Sequence, residues 1–433
     1  MKKLLLLFLA VAGMVGTASA WNDNMYLICK ENSNWSTNSF TDQFKFKKID
    51  DNHFRATVPG SYINNGNWNF RFRENNGGTN NWWNIGPIGS QETDNTEVTE
   101  TAVQTNYNNS GNASFYIKQN ANASFVQIFI EWEDPYWKVT ASVITDKYTV
   151  AYSNHDEWET VKAYAHYYVD NCPKEEPLGS WSGSAMTYNS GSKVYTIDVP
   201  AIDGGKIIFT DGNGNQYPSE GGFDIVEDGV YGNNGQVTKV EPTIGSAGYS
   251  TFSSEFPVDF TGITDVTAYR AEQTSNNEVL LKKVSGKVPA ATGLVLKGTA
   301  GATPSILTTI TATSIGDNNL KASVKAKDIT VESLTSDYYY FLAGTTDATI
   351  GFYRLPVGNF TSGAGKAYYQ TNTPLAETTS SRASWIIEGE EAQGINTVES
   401  TQNADVIYDL QGRVAKTAKA GLYIKNGKKV VMK

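Results

Sequence analysis

Residues 148–168 read YTVAYSNHDEWETVKAYAHYY, residues 177–200 PLGSWSGSAMTYNSGSKVYTIDVP and residues 206–224 KIIFTDGNGNQYPSEGGFD. Tyr148, Val150 and Tyr152 alternate with smaller or polar residues, and Val161, Ala163, Ala165 and Tyr167 repeat the pattern. A period of two puts successive side chains on opposite faces of a strand, so the stretch predicts half-buried β-strands. Ser153-Asn154, Asn189-Ser190-Gly191 and Asp211-Gly212-Asn213-Gly214 supply turn chemistry between them. The stretch therefore predicts a small β domain.

That domain carries more aromatic residues than it can bury. Tyr152, Trp158, Tyr164, Tyr167, Tyr168 and Trp181 are interleaved with Asn154, His155, Glu157, Lys162 and His166. A sugar ring offers an apolar C–H face that stacks on the negative face of an aromatic ring. Its hydroxyls need amide or carboxylate partners around the rim. Aromatic platforms edged with polar groups suit a glycan. The competing reading is that these rings are core and the domain is a scaffold in a surface or adhesion protein.

The order of these elements resembles a known family. A Tyr-bearing strand precedes a Trp after a short polar turn. Then come Tyr164-Ala-His166-Tyr167, Trp181-Ser-Gly-x-x-Met186, Ile-Ile-Phe-x-Asp-Gly and a closing Gly221-Gly222. This layout is similar to the starch-binding modules of carbohydrate-binding family 26, and to the related family 25, over residues 146–230. The resemblance implies a β-sandwich that binds α-1,4-glucan. It implies platform roles for Tyr152 and Trp158, and binding roles for Tyr164, His166 and Tyr167. Trp181 matches a segment that is mainly structural in the family and is read as core. Ser182 replaces the usual Pro there, and Pro218-Ser219-Glu220 stands where members often place Asp-Asn.

The chain has 433 residues, enough for two to four domains. Lys2-Lys3, the apolar run Leu4 to Val11 and Ala18-Ser19-Ala20 form a signal-peptide pattern over residues 1–20. That predicts a secreted or cell-surface protein cleaved near Ala20. The apolar run is too short to span a membrane as a helix, and no later segment is long enough. The formal charge is −10. An acidic chain disfavours nucleic acid and anionic membrane as partners, whereas a neutral glycan is indifferent to it. Cys29 and Cys172 could pair in an exported protein, though nothing in their placement requires it. Aromatics make up 12% of residues and no stretch has a helical apolar period, so the fold class expected is all-β. The expected arrangement is tandem immunoglobulin-like β-sandwich modules with a small C-terminal β domain.

Residues 21–145 form the first expected sandwich. Met25–Cys29, Phe54–Val58 and Trp68–Arg73 read as strands, and Asn75–Asn84 is a polar stretch with two tryptophans. The plan is similar to the sandwiches of starch-binding lipoproteins of gut Bacteroidetes. A second carbohydrate surface would use Trp35, Trp82 and Trp83; the alternative is that these rings pack the module. In the run 126–143, Glu131 and Glu133 share one face. Paired acids could do acid–base chemistry, but a solvated strand face is the simpler reading.

Residues 146–237 hold the starch-module-like sandwich and residues 238–394 a β-rich domain of unknown role. In the latter, GYSTF at 248–252, Gly351-Phe-Tyr and Gly365-Lys-Ala-Tyr resemble a domain recurrent in secreted Bacteroidetes proteins. Residues 395–433 contain Tyr408-Asp-Leu-Gln-Gly-Arg413, Gly421-Leu-Tyr-Ile and the hairpin signal Asn426-Gly427. This pattern resembles the C-terminal sorting domain of the Bacteroidetes type IX secretion route, which implies the outer-membrane export machinery as a partner.

Nothing in the chain points to catalysis. His53, His155 and His166 are the three histidines, and HExxH and GxSxG are missing. Asp211–Asn215 has part of the spacing of a calcium loop, but Gln216 and Gly222 stand where Gly and a bidentate Glu are needed, so it reads as a hairpin. The β pattern leaves no room for a (β/α)₈ barrel. The expectation is a non-enzymatic binding protein for starch or another α-glucan, with no catalytic residue, cofactor or metal. A polysaccharide-active β-sandwich enzyme is the more remote alternative.

Overall fold

A computed structural model describes residues 25–31, 34–35, 45–75, 82–87, 95–107, 113–133, 136–170, 174–346, 349–375, 382–383, 385–388, 407–408, 421–425 and 428–432. The chain is all-β: the sole helix among the described residues is the single turn Ser61–Asn64. No helix among them is long and apolar enough to cross a membrane. The signal-peptide segment and Cys172 lie outside the described residues.

The N-terminal strands form a sheet that folds over its own core. Val103–Tyr107 pairs with Trp82–Pro87 on one side and Tyr136–Ile144 on the other, joining the two halves at a corner. Phe54, Phe70, Phe72, Phe115, Ile128, Ile130 and Trp137 fill the space between. Trp68 is core, consistent with its place in an alternating strand. Glu131 and Glu133 face outward on Phe125–Glu133, as a solvated face requires. His53 begins the strand His53–Pro59, and its Nδ1 lies 2.6 Å from the Asp50 carboxylate.

The next unit begins two residues after Ile144. One sheet runs Thr187–Asn189, Val194–Pro200, Lys147–Tyr152, Val230–Gly232 and Gly235–Gln236. The other has Lys162–Tyr167 and Gly205–Thr210 at its centre, flanked by Ser184–Ala185, Gln216–Tyr217 and Phe223–Asp224. The period-two pattern works here as it should. Val161, Ala163, Ala165, Tyr167 and Val169 face inward onto Val150, Tyr152, Phe209 and Tyr231. The even-numbered positions 162, 164, 166 and 168 are left on the outer face.

In the third unit a five-stranded sheet is covered on both faces. Val266, Ala268, Leu294 and Leu296 meet Val258, Val288 and Ile306 of one outer sheet. Tyr269, Ala271, Val279 and Val295 meet Leu320, Tyr340, Phe352 and Tyr369 of another. Strands buried on both faces read as continuous apolar runs, and LVL at 294–296 is one. At the C-terminus, Ile407–Tyr408, Gly421–Lys425 and Lys428–Met432 form a three-stranded antiparallel sheet with Lys425 opposite Lys428.

The first two units are clamped together. Asp170, whose side chain is fully buried, accepts hydrogen bonds from Arg55 Nη2 at 2.8 Å and Nε at 2.9 Å and from the Thr57 hydroxyl. Phe125 from the first unit lies in the core of the second, 5.4 Å from the Tyr167 ring.

Candidate functional site

The outer face of the Lys162–Tyr167 strand carries the aromatic row. Tyr164 lies 5.5 Å from His166, and His166 lies 5.7 Å from Tyr168. Trp181 packs edge-on to Tyr164 at 5.3 Å. Tyr164 itself is nearly buried, and Trp181 and Tyr168 stand out at 51% and 60% exposure. The arrangement is a floor of Tyr164 and His166 between two protruding rings. An alternating strand projects three rings to one side, and the 174–183 segment lays the fourth over them.

That segment is fixed by backbone contact. Tyr167 and Glu175 exchange backbone hydrogen bonds at 3.0 and 3.2 Å. Gly183, at φ +79°, presses on the strand so closely that a Cβ would lie 2.0 Å from the Ala163 carbonyl oxygen. The Trp181–Ser182 peptide is cis. The Ser184 hydroxyl donates to the Leu178 carbonyl at 2.7 Å.

Polar groups edge the row. The Tyr164 hydroxyl donates to Glu176, which also pairs with Lys174. The Lys174 ammonium sits 5.3 Å from the centre of the Tyr164 ring, a cation–π distance. Burial and the Glu176 hydrogen bond push the Tyr164 phenol up, while Lys174 and Tyr164 hold the Glu176 carboxyl below its usual range. Lys206 lies opposite His166 across the sheet and pairs with Asp224 at 2.7 Å. His166 Nδ1 is buried and has no hydrogen-bond partner. Burial, followed by the Lys174 charge, lowers the His166 pKa, so the ring is neutral at pH 7. With Nδ1 buried, Nε2 is the ring nitrogen left to meet a ligand hydroxyl, as donor or acceptor according to the tautomer.

The sequence expectations divide here. Tyr164 and His166 do belong to one surface. Tyr152 and Tyr167 do not: both are 0% exposed. Tyr152 stacks on Phe209 at 4.4 Å, and Tyr167 is held by its hydroxyl on the Pro200 carbonyl at 3.0 Å, so neither ring can meet a ligand. Trp158 is half-buried. Its ring stacks on Tyr217 at 5.6 Å and on Tyr152 at 5.9 Å, and Asn154 caps its backbone at both N–H and carbonyl. The expected polar role of Asn154 is therefore spent on its own turn. Trp181, read as core, is exposed, and Tyr168 completes the row. The signal for Tyr168 was present: residues 164, 166 and 168 share the strand phase opposite to Val161, Ala163 and Ala165. Of the suggested second surface, the Trp35, Trp82 and Trp83 side chains lie outside the described residues.

Asp211–Asn215 is a hairpin between paired strands, with Thr210 opposite Gln216. The Asp211 carboxylate accepts from the Asn213 and Asn215 backbone N–H groups at 2.7 and 3.1 Å, and these hold its pKa down. Its second oxygen accepts from the Asn215 amide at 2.7 Å.

The fold and this face define a β-sandwich with an aromatic, polar-rimmed outer sheet. Residues 150–222 match the family described as Starch-binding module 26. Comparison with curated proteins and with solved structures gives no match.

Proposed function

We propose that this protein is a non-catalytic, exported binding protein for starch or a related α-glucan. The observation that supports the reading most is the row Trp181, Tyr164, His166 and Tyr168, on the outer face of the unit that matches the starch-binding family. Trp181 and Tyr168 stack on sugar faces, and His166, Glu176 and Lys174 address the hydroxyls between them. A shallow face of this kind binds weakly on its own, so a polymer with many repeats is the natural ligand. Export follows from the signal-peptide pattern, and the C-terminal unit is assigned to sorting at the outer membrane.

The test is affinity electrophoresis of the full chain through gels containing soluble starch, dextran, xylan or no polymer. Retardation by starch alone is expected, lost in Trp181→Ala and unchanged when an exposed residue remote from the row, Leu307, becomes Ala. Equal mobility in all four gels would refute the α-glucan reading. Release of reducing sugar from starch by the purified chain would refute the non-catalytic part.

A further inference from the structure

A cleft of about 1180 Å³ lies between the second and third units. It exceeds the usual range for a small-molecule pocket, about 300–1,000 Å³, and suits an extended chain. One wall is the sheet of the second unit that faces away from the Tyr164 row. There Tyr188 and Tyr195 are directly opposed across two strands, 5.2 Å apart, and Tyr188 is 51% exposed. The other wall is the Leu320–Ser323 strand and the residues that follow it.

The charge of the cleft is opposite to that of the chain. Lys193, Lys321, Lys325 and Lys327 line it against Glu157 and Glu255, two positive charges in excess, while the whole chain carries −10. Both glutamates are engaged: Glu157 by Lys325 at 3.7 Å and Glu255 by His155 at 2.8 Å. Lys327 lies over the Tyr368 ring at 5.6 Å, and Lys193 donates to the Ala291 carbonyl at 3.5 Å. Ser323 lies in the wall of the cleft and is 2% exposed.

We propose that this cleft is a second carbohydrate site, for an anionic oligosaccharide bearing uronate or sulfate groups. Tyr188 supplies the stacking ring, and Lys321 and Lys327 pair with the charged groups. A neutral glucan would gain nothing from the lysine excess. A nucleic acid would be repelled by the net charge of −10 on the whole chain. The proposal goes beyond the α-glucan face and does not depend on it.

Calorimetric titration of the full chain in a Trp181→Ala background isolates the cleft. The probes are tetragalacturonate, tetramannuronate, a chondroitin sulfate tetrasaccharide, maltotetraose and hexathymidylate. At least one anionic tetrasaccharide should bind, and binding should weaken steeply between 50 and 500 mM salt, taken as roughly a fourteen to four ångström change in screening length. Tyr188→Ala should weaken it about tenfold, the size of a lost stacking contact, and Tyr188→Phe should restore it. Lys321→Gln combined with Lys327→Gln should weaken it and flatten the salt dependence. The proposal is overturned if none of the three anionic sugars binds. It is equally overturned if binding ignores Tyr188→Ala, or if maltotetraose or hexathymidylate binds as well as the sugars. Failure of the α-glucan reading would show separately, as no maltotetraose binding by the unsubstituted chain.

Discussion

His166 and Tyr167 are neighbours in sequence and lie on opposite sides of one sheet. Truncating the buried ring of Tyr152 removes its stack on Phe209 and its hydrogen bond to Asn233. Tyr152→Ala should therefore cost about 3–5 kcal/mol, read as a lowered urea midpoint. Trp181→Ala takes away an exposed ring. It should leave the urea midpoint nearly unchanged while weakening α-glucan binding about tenfold, as loss of a stacking platform does. If the stability losses of the two variants were reversed, the division between core and platform would be wrong. His166 adds a pH term. Its folded pKa is depressed by burial and by Lys174, so the unfolded chain takes up the proton first as pH falls. The contribution of the neutral ring is full above the unfolded value, about 6.5, and is lost as pH drops towards the lower folded value. Melting temperatures from pH 8 to pH 5 should fall more steeply for the native chain than for His166→Gln. At this scale residue type was legible in the sequence, and orientation was legible only where the phase of the strand was followed strictly. Tyr167 shares a phase with Ala163 and Ala165, which places it inside; its resemblance to a family motif pointed the other way.

The 174–183 segment shows what period alone cannot supply. It is not a regular strand, so no alternation announces which way Trp181 faces. Its position depends on the Tyr167–Glu175 bridge and on the contact of Gly183 with the Ala163 carbonyl. Only a residue without Cβ fits there, and the positive φ adds to that restriction. Gly183→Ala should destabilise the unit by more than about 1 kcal/mol. It should also weaken α-glucan binding beyond any effect on folding, because the segment that moves carries Trp181, Lys174 and Glu176. Binding measured well below the melting temperature separates the two effects. Unaltered binding in a folded Gly183→Ala protein would show that the segment does not hold Trp181 in place. The strands themselves were legible from alternation and turn residues, as with Lys162–Tyr167 and the Asp211–Asn215 hairpin, because both signals are local.

Contacts between units are the least legible of all, because the residues that make them are distant in sequence and ordinary in type. Arg55 reads as a polar position on an alternating strand and Asp170 as a turn residue; 115 positions separate them. Together they form a bidentate pair around a fully buried carboxylate, with Thr57 as third donor and Lys47 at 4.0 Å. Asp170 also sits at φ +55°, a backbone region that Asp tolerates better than most residues. The insertion of Phe125 beside Tyr167 makes the joint apolar as well as ionic. The two units should therefore unfold together, as one calorimetric transition. Arg55→Ala leaves the Asp170 carboxylate buried with a hydroxyl and a distant ammonium. Removal of one partner of a buried pair costs about 3–5 kcal/mol, and the partial exposure of Arg55, 29% for its side chain, argues for the lower end. The expected result is a lower melting temperature and a split of the first transition into two, since loss of the clamp uncouples the units before either core is touched. A single, equally cooperative transition at lower temperature would mean that the Phe125 contact alone holds the units together, and Phe125→Ala in the same background would then separate them.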